Sequence, residues 1–211
     1  MKRTARALPL LLAITALGVS ASSAHAGDLG PQVPAFVTQS VIGSNALAGI
    51  RGRAAVNEAA GESNIQSNAA ALAAGVGVNA ARVGVTQSTY ANQSGAPGTA
   101  RAAISAGAFA NASGLLSINQ TSGLANAQSN TAALGLGAGV EVVADSTLAT
   151  TISNAGPAVA GAGSKTRQQS VSISDTAFEG ARGLVQVNQS AGSGNATANN
   201  FALSVQVGAK P

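Results

Sequence analysis

The sequence has no cysteine and no tryptophan, and its single histidine, His25, lies in an N-terminal segment that we predict to be removed. Without these residues the mature chain has no Cys/His zinc site, no histidine ligand for haem, and no Ser-His or Cys-His nucleophile pair. Disulfides, which often stabilise small exported proteins, are excluded as well. We therefore expect no metal and no cofactor.

Charged residues are also scarce, at 9% of the chain. Carboxylate chemistry is the enzymology that remains, and a glycosidase needs two carboxyl groups about 5–9.5 Å apart. Glu58 and Glu62 are four residues apart, but tryptophan for stacking against a sugar is absent. We predict that the protein is not an enzyme, and a carboxylate-based glycan hydrolase is the least supported alternative.

Bulky apolar residues are the third shortage. Ala and Gly number 48 and 26 of the 211 residues, whereas Val, Ile, Leu and Phe together number 39 of the 185 residues after position 26. That fraction is close to the level at which a conventional apolar core becomes hard to build. The low charge nevertheless differs from the composition of chains that self-repulsion keeps unfolded. A repeating interaction other than a large apolar core must therefore order the chain.

The N-terminus has the three parts of a secretory signal peptide. Residues 2–6 carry three basic side chains, residues 8–19 form an apolar stretch too short to span a bilayer, and Ala24-His25-Ala26 is a small-x-small cleavage site. Cleavage near Ala26 leaves 8 Lys and Arg against 7 Asp and Glu, a net charge of 8 − 7 = +1. We therefore predict a secreted chain without the basic surface of a nucleic-acid-binding protein and without a membrane span.

The decisive feature is an internal repeat. Residues 52–72, 114–134 and 183–203 align without a gap on the frame Gly-x-x-x-[Val/Ile]-Asn-[Glu/Gln]-x-x-Gly-x-x-Asn-x-[Gln/Thr]-x-Asn-x-x-x-Leu. The match extends on both sides, so that each unit has about 40 residues. The predicted organisation is a signal peptide at 1–26, a lead-in at 27–37, repeats at 38–77, 100–139 and 169–208, linkers at 78–99 and 140–168, and a tail at 209–211.

Within each unit the side chains alternate with a period of two, which is typical of a β-strand. Asn64, Gln66 and Asn68 share one face, and Ile65 and Ser67 share the other. The runs of Ala favour helix by intrinsic propensity, but no apolar stripe with a period of 3.6 residues accompanies them. A glycine four residues after the first Asn of the frame fits a tight turn with positive φ, so each unit is predicted to form strand, turn and strand. The turn glycines are Gly61, Gly123 and Gly192.

Amide side chains recur at fixed positions of the frame. If the units lie parallel and in register about 4.8 Å apart, each amide donates to the same residue in one neighbouring layer and accepts from the other neighbour, without water. The sequence therefore predicts an all-β fold, a three-layer β-solenoid-like stack with one layer per repeat and variable linkers between the layers. The candidate ladders are Asn57/Asn119/Asn188, Asn64/Asn126/Asn195, Gln66/Gln128/Thr197 and Asn68/Asn130/Asn199.

Other interpretations of the same composition stay open. Asn residues are also common in turns, and a background of Ala, Gly and Ser is typical of low-complexity disorder. A free monomer that is disordered until it assembles is compatible with a ladder in the assembled state.

The frame Gly-x-x-x-Val-Asn-x-x-Ala-Gly-x-x-Asn-x-Gln-x-Asn-x at 52–69, and its counterparts at 114–131 and 183–200, resemble the repeat of the Fap functional-amyloid subunits of bacterial biofilms. The similarity to the curli repeat is more distant. The resemblance implies a fibre-forming subunit that is exported across the outer membrane and polymerises at the cell surface, with each repeat as one layer. It also implies related fibre subunits and an outer-membrane export pore as partners.

We therefore expect a secreted, self-assembling functional-amyloid fibre subunit of the biofilm matrix or of surface adhesion. Its principal partner is expected to be another copy of the same chain. The alternative is a monomeric secreted β-solenoid adhesin that binds a surface or a glycan with a flat, repeated face.

Overall fold

The computed structural model describes residues 36–76, 78–92, 98–153 and 167–206. The predicted signal peptide, the lead-in up to residue 35 and the tail at 209–211 lie outside these residues. The described chain is all β, and even the Ala-rich run 69–71 is strand. The strands are β1 (Val37–Ile42), β2 (Arg51–Glu62), β3 (Ile65–Ala74), β4 (Val78–Asn92), β5 (Thr99–Ile104), β6 (Ser113–Leu124), β7 (Ala127–Gly137), β8 (Gly139–Ser153), β9 (Gln168–Ile173), β10 (Arg182–Ser193) and β11 (Ala196–Gln206).

Each repeat contributes three strands to one layer, and the layers stack in parallel. Sheet A contains β1, β5 and β9, sheet B contains β2, β6 and β10, and sheet C contains β3, β7 and β11. The second repeat lies in the middle of all three sheets. Asn119 pairs with Asn57 on one side and with Asn188 on the other, so the stacked, in-register arrangement predicted from the repeat is confirmed. The first strand of each layer is an addition to the predicted strand, turn and strand.

The stretches between the repeats, expected to be linkers, also contain regular structure. Strands β4 and β8 pair in parallel over 15 residues and form a fourth sheet, sheet D. Val78 pairs with Gly139, an offset of 61 residues, whereas Gly52 pairs with Gly114, an offset of 62. In this register only Thr86/Thr147 and Thr89/Thr150 are identical, so the two strands carry no detectable repeat frame. Residues 93–97 and 154–166 of the same stretches lie outside the described residues.

A small apolar core lies between sheets A and B. Ile42, Ile104, Leu116 and Ile118 are buried there together with Phe109, which follows β5. The ring of Phe109 stacks on that of Phe178 in the next layer, with 5.0 Å between the ring centroids. Most of the buried bulky apolar residues are thus in this core, whereas others, such as Leu72 and Val171, are exposed.

Sheet D packs on the face of sheet C that points away from sheet B. Ala91 and Ile152 contact Leu124 and Ala125 at the turn between the middle strands of sheets B and C. The Ser129 and Ser146 hydroxyls are 3.0 Å apart across the boundary between sheets C and D. Among the described residues there is no helix with the length and hydrophobicity needed to cross a membrane.

Candidate functional site: the amide ladders

The first ladder lies at the corner between sheets B and C. Asn126 Nδ2 donates to Asn64 Oδ1 at 2.8 Å, and Asn195 Nδ2 donates to Asn126 Oδ1 at 2.7 Å. The same oxygens also accept from the backbone N–H groups of Asn126 and Asn195, at 3.0 Å each. Because each side-chain oxygen binds both the amide and the backbone of the next layer, this ladder fixes the register of the corner.

Two further ladders face each other across the space between sheets B and C. On sheet B, Asn119 Nδ2 donates to Asn57 Oδ1 at 3.0 Å, and Asn188 Nδ2 donates to Asn119 Oδ1 at 3.0 Å. On sheet C, Asn130 Nδ2 donates to Asn68 Oδ1 at 2.9 Å, and the Asn199 amide repeats this contact with Asn130 at 2.9 Å.

These two ladders are also joined to each other within every layer. Asn68 donates to Asn57 at 2.8 Å, and Asn130 donates to Asn119 at 3.0 Å. Asn199 donates to Asn188 at 2.9 Å in the third layer. The two predicted rows therefore form one connected network, which ties sheet B to sheet C where another fold would have apolar packing.

The row of Gln66, Gln128 and Thr197 is a ladder over only two of its three layers. Gln66 Nε2 donates to Gln128 Oε1 at 2.8 Å. Gln128 Nε2 turns to the Gln120 carbonyl and the Ser190 hydroxyl, both at 3.0 Å. The Thr197 hydroxyl oxygen is buried, and no described residue gives it a hydrogen bond. Threonine is too short to continue the row, so the chain of amide bonds stops at the middle layer.

The structure contains one more amide row that the ladder prediction omitted, at Glu58, Gln120 and Gln189. Gln189 Nε2 donates to Gln120 Oε1 at 2.7 Å, and Gln120 Nε2 donates to the carbonyl of Ala103 on sheet A at 2.9 Å. Ser40 on β1 donates its hydroxyl to Glu58 at 3.0 Å. This row ties sheet B to sheet A. The repeat frame includes this position as [Glu/Gln], but it was not predicted as a ladder because one of the three residues is an acid and not an amide.

The three Asn ladders share one direction of donation. In each of them the amide of the third layer donates to the second, and the amide of the second donates to the first. At the far side of the third layer, Asn195 Oδ1 and Asn199 Oδ1 receive no hydrogen bond from the described residues. The third layer therefore presents acceptors of the kind that the next Asn amides would use.

The predicted turn glycines all have positive φ, and Gly61 and Gly123 lie at a close contact with the backbone of the next layer. Gly61, Gly123 and Gly192 have φ values of 103°, 135° and 113°. A Cβ on Gly123 would lie 1.7 Å from the carbonyl oxygen of Gly192. They do not form the predicted turn: each of the three lies within its strand, two residues before the corner residue with positive φ, which is Ser63, Ala125 or Gly194. Only glycine combines this backbone conformation with such a close approach.

A comparison with known protein families agrees with this geometry. Residues 20–206 match the model of the functional amyloid protein FapB/FapC family. The chain belongs to this family. No solved structure matches the chain significantly.

On the described strands of this FapB/FapC-family chain, like charges are not paired between adjacent layers. Arg51 and Arg182, in the outer layers, are separated by Ser113 in the middle layer. The described strands β6 and β7 carry no charged residue at all. Like charges on adjacent parallel strands are destabilising, so the uncharged middle strands of sheets B and C favour the stack. Arg101 on β5 of the same layer pairs in register with the uncharged Gln39 and Ser170.

Proposed function

We propose that this chain is a secreted subunit that polymerises head to tail into extracellular fibres of the biofilm matrix or of surface adhesion. The observation that carries the proposal is the difference between the two sides of each Asn ladder. The middle-layer residues Asn119, Asn126 and Asn130 are fully buried and bonded on both sides. The third layer has the same side chains with a neighbour on one side only.

The direction of donation favours one joint between copies. The first layer of one chain, placed on the third layer of the next, brings the amides of Asn64 and Asn68 to the free acceptors of Asn195 and Asn199. A contact between two third layers would place acceptor against acceptor and could not continue the parallel strands. A polar stack with identical joints is an open, heterologous assembly, which grows into a fibre and does not close.

The outer strand of sheet C in the third layer supports the same conclusion. An outer strand with unpaired backbone groups is a template for another chain, and monomeric proteins usually block it with proline, charge or a cap. The outer strand β11 (ATANNFALSVQ) contains neither proline nor a charged residue. Export by a signal peptide, a role in the matrix and passage through an outer-membrane pore belong to this proposal, and related subunits of the family are proposed as co-assembling partners.

Incubation of the purified mature chain tests the proposal. We expect fibres that bind an amyloid dye, diffract at about 4.8 Å along their axis and leave a fixed concentration of soluble protein at equilibrium. A chain that stays monomeric while it binds cells or glycans would refute the proposal in favour of the adhesin. Hydrolysis of a polysaccharide by the soluble chain would support the glycan hydrolase.

A further inference from the structure

Sheet D has one strand fewer than the sheets it accompanies, in the part of the chain that is described. Each of its strands lies over the boundary between two layers of sheet C. Strand β4 contacts β3 and β7, and strand β8 contacts β7 and β11. Thr89 on β4 donates to the Ser63 carbonyl at 2.5 Å, and Thr150 on β8 donates to the Gly194 carbonyl at 3.0 Å.

The burial of sheet C follows this arrangement. The outward residues of β7 lie beneath both strands of sheet D and are all buried. The corresponding residues of β11 have β8 on one side only and are all exposed. On β7 these residues are Ala127, Ser129, Thr131, Ala133 and Gly135, and on β11 they are Ala196, Ala198, Asn200, Ala202 and Ser204.

Head-to-tail stacking turns this difference into a groove at every joint. One subunit adds three layers to sheet C but two strands to sheet D. The β8 strand of one chain and the β4 strand of the next are then two strand spacings apart, about 9.6 Å, which leaves room for one strand. The floor of the groove is the exposed row of small side chains on β11, together with β3 of the next chain.

Both walls of the groove can bind a peptide backbone. In the described residues β8 is paired on one edge only, by β4, and β4 is paired on one edge only, by β8. Free strand edges of this kind bind extended peptides by adding a strand to the sheet. We propose that each joint of the fibre is a docking site for one extended peptide strand from another polypeptide, lying parallel to β4 and β8. This inference rests on the head-to-tail assembly proposed above.

The side chains around the groove indicate what the docked strand is like. Its inward residues can be small or of medium size, because they lie over alanine, serine and asparagine, and because β4 itself places Val83 and Val85 over sheet C. Its outward face passes beside Asp145, an exposed acid on β8. Arg82 on β4 forms an ion pair with Glu141 within the chain, so the next β4 brings a cation that is already paired.

A strand with the chemistry of β4 meets these requirements. Its inward residues Ala81, Thr89 and Ala91 are buried against sheet C in the chain itself, and Val83, Val85 and Gln87 on the same face are partly buried. In the register of the native pair, its arginine lies opposite Val143, diagonal to Asp145. Such a diagonal is within reach of a long side chain. The groove therefore fits a β4-like strand with a basic residue near Asp145, supplied by another fibre-associated chain.

Preformed fibres of the mature chain test this inference with a labelled peptide that has the sequence of residues 78–92. The fibres are pelleted, and the bound peptide is counted per subunit. We expect saturation at about one peptide per subunit on fibres and no binding to monomer. A peptide with Arg82→Glu should bind at least several-fold more weakly, and fibres of the Asp145→Lys chain should reverse that preference.

The possible outcomes separate the docking site from the assembly. Fibres that bind no peptide would overturn the docking site and leave the proposed function standing. Equal binding of a scrambled peptide, or binding confined to fibre ends at far below one per subunit, would overturn it as well. Absence of fibres would overturn both, because the groove exists only at a joint.

Discussion

The middle layer and the two outer layers carry the same sequence frame but differ in burial. Every residue from 116 to 133 is buried. At the same register positions in the first layer, 54–71, only Ala54 is buried, and in the third layer, 185–202, only alternate residues of β10 are. The difference comes from the neighbours, since the frame is shared. An outer layer is thus a middle layer that lacks a partner on one side.

This comparison also explains how a chain so poor in bulky residues is ordered. The buried polar side chains of the middle layer are satisfied by their own counterparts above and below, which is possible only when the same residue recurs in register. Outer-layer amides keep half of these bonds. Addition of another subunit therefore supplies the missing half and gives the growing end the environment of the middle.

The largest effect is expected from Gly123→Ala, because the new side chain would disturb the packing of the middle layer against the third layer. The new Cβ would lie 1.7 Å from the Gly192 carbonyl oxygen, at a φ of +135° that other residues rarely adopt. Strain at such a backbone conformation costs about 1–3 kcal/mol, and the contact with the next layer adds to it. We expect the Gly123→Ala chain to lose cooperative unfolding of the stack, measured by circular dichroism in denaturant, and to form no fibres.

Gly84→Ala is the matched control for this change. Gly84 lies in β4, and a Cβ there meets no atom within 4 Å. This variant should unfold and assemble like the parent. Normal fibres from the Gly123 variant would mean that the layers do not approach as closely as the structure indicates.

A pair of Asn→Ser substitutions separates middle from outer layers. Asn130 is fully buried. Its loss removes the hydrogen bonds that its amide donates to Asn68, to Asn119 and to the Ile118 carbonyl, at about 0.5–1.5 kcal/mol for each bond. Asn199 is only partly buried, so its loss should lower the free energy of unfolding of the monomer by less, about 0.5–1.5 kcal/mol.

The relative size of the two effects should reverse in assembly, where Asn199→Ser should have the larger effect. Asn199 lies at the proposed joint, and loss of one hydrogen bond there should raise the soluble concentration at equilibrium roughly 2- to 10-fold. Asn130 lies one layer away and should change that concentration little. Equal effects of Asn130→Ser and Asn199→Ser on both measurements would mean that the three layers order only on assembly, and that a free middle layer does not exist.

The register of the stack and three of its ladders could be predicted from the sequence, because they depend only on the position of each residue within the repeat. The same polar residue at the same place in each repeat is enough to place Asn119 between its two counterparts. The links between ladders could not be predicted, since they depend on which faces of separate sheets meet. The pairing of β4 with β8 could not be predicted, because the two strands share only two identical residues in their observed register.

The smallest effect is expected from substitutions at Thr197. They test whether an outer layer differs from the middle layer only in lacking a neighbour. Its hydroxyl is buried without a partner, at the position where the first two layers have Gln66 and Gln128. Thr197→Gln should extend the Gln ladder through the third layer and across the joint, because the neighbouring glutamines show that the row accommodates the longer side chain. One added hydrogen bond of about 0.5–1.5 kcal/mol would lower the equilibrium soluble concentration roughly 2- to 10-fold.

Thr197→Val removes the unpaired hydroxyl at nearly constant volume and supplies no amide, so it should leave that concentration within about 2-fold of the parent. If the Gln variant assembles less readily than the Val variant, the third layer cannot take the contacts of the middle one, and the outer layers are something other than middle layers without a partner.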